Sequence, residues 1–72
     1  MEWIESQVSV DTYVAEGANG RQYKIQPRGA RWHLTEVDLN GGALLAQAFL
    51  DSVQKAKMIA RLWEALECCA DH

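Results

Sequence analysis

A chain of 72 residues with ten acidic side chains, seven Lys or Arg and a net charge of -3 is short and acidic, which works against a phosphate backbone as its natural partner. A chain of this length buries only about 60% of the surface that it exposes when unfolded. Its 49% hydrophobic content must therefore go into one core, and the expected organisation is a single small domain over residues 1–72. No apolar run approaches the roughly eighteen residues of a membrane-spanning helix, and MEWIES lacks the basic start and apolar stretch of a signal peptide, so the expected location is the cytoplasm.

In chain order, Ile4, Val8, Val10 and Val14 share one parity while Glu5, Ser9 and Asp11 share the other, which predicts a half-buried antiparallel strand. EGANG follows at 16–20, where Asn19-Gly20 supplies the positive φ angles of a tight hairpin turn. RQYKIQ at 21–26 reads as a second strand with Tyr23 and Ile25 inward. Pro27-Arg28-Gly29 breaks the pattern, since proline cannot donate to a ladder and glycine accepts turn geometry. Trp32 and Leu34 mark a third strand, Asn40-Gly41-Gly42 the next turn, and LLAQAF at 44–49 a short fourth strand.

At Asp51 the hydrophobic period changes. Val53, Ala56, Ile59, Ala60, Trp63, Leu66 and Ala70 fall three or four apart, which predicts one buried face of a helix from about residue 52 to 68, with Trp63 as its central anchor. Asp51 with Gln54 three residues later reads as an acidic variant of the capping box. Lys57, Arg61 and Glu64 read as the solvated stripe, where an Arg61–Glu64 pair would add only about 0.2 to 0.5 kcal/mol. Met58, Leu62 and Cys69 widen the apolar sector; burial in the core is the expected use of that edge, with a second contact along it as the alternative. The expected fold class is α+β, an antiparallel sheet of about four strands with one C-terminal helix packed on one face.

Catalytic and metal chemistry find little purchase. His33 with Glu36 or Asp38 resembles an acid–base pair, but residues an odd number apart on a strand point to opposite faces. No nucleophile elbow, phosphate loop, zinc helix or dinucleotide fingerprint is present. Cys68 and Cys69 are adjacent, an arrangement that strains a disulfide, and with His72 they supply fewer donors than the four of a structural zinc site. The expectation is a protein that is not an enzyme and uses no cofactor or metal.

Charge is segregated along the chain. Residues 1–16 carry Glu2, Glu5, Asp11 and Glu16 without a base, whereas 17–35 carry Arg21, Lys24, Arg28 and Arg31 without an acid, before Glu36, Asp38 and Asp51 reverse the sign. Blocks of opposite sign on neighbouring strands can neutralise each other as cross-strand pairs. They can also serve a partner. Asp11, Glu16, Glu36 and Asp38, near strand ends or turns, would form an acidic face for a basic protein surface, including one that normally holds nucleic acid. Alternatively, Arg21, Lys24, Arg28 and Arg31 with Trp32 would make the hairpin at 21–33 a nucleic-acid contact, cations for phosphates and an aromatic ring for a base.

Three strands packed on one helix resemble the arm-binding domain of phage-type integrases in architecture, although those domains are basic where this chain is acidic. The small acidic layout, the passage from WHLTEVDLNGG through LLAQAFLDS into KAKMIARLWEAL, and the lack of a catalytic motif resemble small proteins of phages and other mobile elements, the anti-CRISPR proteins among them. The resemblance implies a stoichiometric inhibitor, monomeric or homodimeric, that binds a host protein or ribonucleoprotein complex in the cytoplasm. The same chain read as a small nucleic-acid-binding accessory domain is the alternative.

Overall fold

A computed structural model describes residues 2–5 and 11–69, with side chains placed through Leu66. In order these form β1 (Ile4–Glu5), β2 (Tyr13–Glu16), a 3₁₀ turn (Ala18–Gly20), β3 (Arg21–Arg28), β4 (Arg31–Asp38), β5 (Leu44–Leu50) and α1 (Val53–Cys69). Among the described residues the strands make one antiparallel sheet in sequence order, and α1 packs on one of its faces. The α+β class is as expected, with five strands in place of about four.

The additional strand comes from the N-terminal segment. Ile4 and Val14, expected on one strand, are cross-strand partners, and Glu5 faces Tyr13. Partners in this register have position numbers that sum to an even value, so they share parity and look like members of one continuous strand. Asp11, at φ 59, stands before β2 in the left-handed region that Asp tolerates better than most side chains. Val8 and Val10 lie outside the described residues. The inward row of β2 is Tyr13 and Ala15, while Ile4 is exposed on the other face.

Pro27 does not end a strand. β3 runs on to Arg28 and turns through Gly29-Ala30, a two-residue hairpin with Gly29 at φ 62, and Arg28 faces Arg31. In such a hairpin the pair flanking the turn is hydrogen-bonded, so at Pro27 an N–H would point away from β4, where β2 has already ended. Between β4 and β5 the Asp38 carbonyl accepts from Gly42 at 2.6 Å and the Asp38 N–H donates to Ala43 at 2.9 Å. A register shift at Glu36/Val37 then sets Val37 opposite Leu44.

Alternation sends Tyr23, Ile25, Leu34 and Ala15 to the helix side, where they are buried. They meet Ala56 and Ala60, both fully buried, whose methyl side chains let α1 lie close on the sheet. Trp63, expected as the central anchor, is partly buried and closes the cluster from its edge with Trp3, Tyr13, Trp32, Leu50 and Ile59. The helix begins one residue later than its expected cap. Ser52 Oγ accepts from the Lys55 N–H at 3.1 Å and the Ser52 carbonyl from Ala56 at 3.1 Å, which makes Ser52 the N-cap. Asp51 instead pairs with Lys55 at 3.1 Å.

Candidate interaction surfaces

The acidic set does not assemble into one face. Glu36 shares the inward row of β4 with Trp32 and Leu34, is 4% exposed, and takes a long 3.4 Å hydrogen bond from the buried Tyr23 hydroxyl. It cannot project toward a partner. Asp38 faces Arg21 across β3–β4 with an N–O separation of 3.9 Å and accepts the Asn40 N–H at 3.0 Å, so its carboxylate organises the turn after β4. Asp11 and Glu16 are exposed, but Glu16 belongs to the sheet face opposite the helix, far from the role expected for Asp38.

The basic hairpin divides as well. Arg21 shares the inward row of β3 with Tyr23 and is tied to Asp38, and Trp32 packs under α1 against the core. Lys24, Arg28 and Arg31 belong to the open face, the side of the sheet that no helix covers. There Arg28 and Arg31 stand directly opposite each other. Among the described residues neither makes an ion pair, and like charges at such a pair oppose sheet formation by a few tenths of a kcal/mol or more. Beside them His33 and Phe49, also cross-strand partners, stack with ring centroids 4.5 Å apart and planes within 5°. His33 Nε2 lies 3.0 Å from Gln47 Oε1, which holds the imidazole in place. Phe49 remains 52% exposed. This ring pair has no local signal in the sequence, because the register of His33 with Phe49 depends on the bulge after Glu36.

His33 and the carboxylates of Glu36 and Asp38 lie on opposite faces, as alternation requires. Among the described residues no group of His, Cys, Asp and Glu is arranged to hold a metal ion. The side chains of Cys68 and Cys69, and all of His72, lie outside the described residues.

Two features of α1 differ from its solvated reading. Glu64 is half-buried and its Oε1 accepts the Ala18 N–H at 2.8 Å, tying the 3₁₀ turn to the helix. A Cβ at Gly17 would lie 2.5 Å from Tyr23 Cε2 and 3.0 Å from Glu64 Oε1, so this tie also requires glycine. Lys57 spans 5.1 Å to the Tyr13 ring centroid, a cation–π contact at the sheet margin. The outward side of α1 is apolar. Met58, Leu62 and Leu66 are 60%, 59% and 67% exposed at i, i+4 and i+8, which moves Leu66 from the expected buried face to an exposed stripe.

No described helix is long and apolar enough to cross a membrane. Comparisons of this chain with protein-family models, with curated proteins and with solved structures find no match.

Proposed function

We propose that this chain is a non-catalytic protein-binding module whose contact surface is the outward stripe of α1. The observation that carries the reading is the exposure of Met58, Leu62 and Leu66 on a helix whose opposite side is anchored by Ala56 and Ala60. A row of large apolar side chains two turns long costs solubility when left in water, and such rows are the usual anchors of a helix in a partner's groove. Lys55 and Arg61 flank it with charge, as a polar rim would.

The resemblance to anti-CRISPR proteins makes a host defence or nucleic-acid-handling complex the first partner class to try, with inhibition by occupancy as the mode of action. In this form the acidic contribution is limited to exposed residues such as Glu16, because Glu36 and Asp38 serve the fold. The test is site-specific crosslinking in the expressing host. A photoreactive residue at Leu62 should trap one dominant adduct, and Met58→Glu with Leu66→Glu should abolish it while leaving the melting temperature unchanged. An adduct of twice the chain mass would identify a second copy as the occupant. No adduct at Leu62, or one indifferent to the two glutamates, overturns the proposal.

A further inference from the structure

We infer that the open face of the sheet, at its β3–β4 hairpin end, binds single-stranded nucleic acid. The inference is independent of the helix stripe and uses the opposite side of the molecule. It begins with charge. Lys24, Arg28 and Arg31 all belong to this face, Lys24 and Arg28 roughly 13 Å apart along β3 and Arg28 directly opposite Arg31. Glu16 stands away from the arginine pair: it is in register with Gln22, diagonal to Lys24 and toward the far end of β3, and it lines a shallow groove with Glu2. Asp51, beside Arg31, is already engaged by Lys55.

The Arg28–Arg31 pair is therefore a repulsion that the fold relieves only in part, through the weak pull between Arg31 and Asp51, and a phosphate between the two guanidiniums would relieve it further through charge-assisted hydrogen bonds. The overall charge of -3 is a weak obstacle. Exposed charges separated by more than about 8 to 10 Å are largely screened at physiological salt, and the molecule is 38 Å long. The local field is what an approaching phosphate meets.

Aromatic surface decides the class of anion. Arg31 and Phe49 line one shallow depression together with Leu50, Asp51 and Lys55, and Phe49 is already stacked against His33 on one side with half of its surface open. An unpaired base can extend that stack, whereas a base inside a duplex cannot leave its own neighbours without cost. Gln26, in register with His33, adds an amide able to donate and accept at the same level of the face. An acidic peptide would satisfy the cations but has no use for the ring pair. Arg21 and Trp32 take no part, since both belong to the helix side.

The test is fluorescence anisotropy with labelled oligothymidylate and oligouridylate of twelve nucleotides, beside a duplex and an oligoglutamate of equal charge. Single strands should bind in the micromolar range at 50 mM salt. Three phosphate contacts give a salt slope of about -2, or roughly a 20-fold loss between 50 and 200 mM. Arg28→Glu with Arg31→Glu should abolish binding and Phe49→Ala should weaken it about tenfold. Lys57→Glu with Arg61→Glu, the same charge change on the helix side, should leave most of it. Preference for thymidylate or uridylate would show which nucleic acid is the ligand. The inference is overturned by absence of single-strand binding, by equal loss in the helix-side variant, or by equal affinity for duplex or oligoglutamate.

Discussion

Removing the Glu64 carboxylate should loosen the molecule at the point where the 3₁₀ turn meets the helix. In the native state Glu64 Oε1 accepts the Ala18 N–H at 2.8 Å in a part-buried setting. A hydrogen bond to a charged group is worth about 1.5 to 3 kcal/mol, and partial access of water to the freed N–H places Glu64→Ala near 2 kcal/mol. Alanine is also the better helix former by a few tenths of a kcal/mol, so a loss of stability cannot come from weakening α1 itself. For a domain of this size each kcal/mol moves the melting temperature by about 4 to 8 °C, and a fall of roughly 8 to 16 °C is expected by circular dichroism. Glu64→Gln keeps an acceptor without the charge and should lose about half as much. Arg61→Ala, on the exposed side, should stay within about 0.5 kcal/mol of the parent. If Glu64→Ala melts within about 2 °C of the parent and the Ala18 amide exchanges no faster, the tie contributes nothing and Glu64 is only part of the solvated stripe.

Ser52→Ala should cost about 1 kcal/mol as the loss of an N-cap, and more than Asp51→Ala; the reverse order in urea titrations would return the cap to Asp51. Glu36→Lys should cost on the order of 3 kcal/mol or more, because the ammonium would be buried beside the Tyr23 hydroxyl, whereas Glu16→Lys should change little. Equal melting temperatures for the two would place Glu36 at the surface. A hydrogen bond from Lys55, then the Lys55 charge, holds the Asp51 carboxyl below its ordinary value of 3.8, with a weaker pull from Arg31. The stabilisation from this depressed acid is present above 3.8 and lost as pH falls through the lower folded value, so Asp51→Asn should flatten the acid limb of the stability profile. A carboxyl resonance of Asp51 titrating at or above 3.8 would contradict the pairing.

What the sequence conceals follows from what its periods can and cannot distinguish. The change of period at Asp51 and the turn residues Asn19, at φ 61, and Gly42, at φ 72, are local signals, and each appears in the fold where the chain required it. Parity is ambiguous between one strand and two paired ones, which hid the division into β1 and β2. At β4 it is informative. Trp32, Leu34 and Glu36 alternate, so an inward Trp32 and Leu34 carry Glu36 inward with them, against the acidic character of its side chain. Glu64, four residues after the buried Ala60, lies within the same helical sector by spacing alone.

Charge says what a side chain needs, while period says where the backbone puts it, and when the two disagree the backbone prevails if a partner can be supplied. Tyr23 supplies one for Glu36, and the Ala18 N–H supplies one for Glu64. The consequence reaches the surface. Glu36 and Asp38 stand on the helix side of β4, and Asp51, beside Arg31, is engaged chiefly by Lys55. Lys24, Arg28 and Arg31 are left to set the sign of the open sheet at that end. A chain acidic overall thereby carries a basic patch at the turn end of that face, and the alternation that builds its core decides which charges the patch holds.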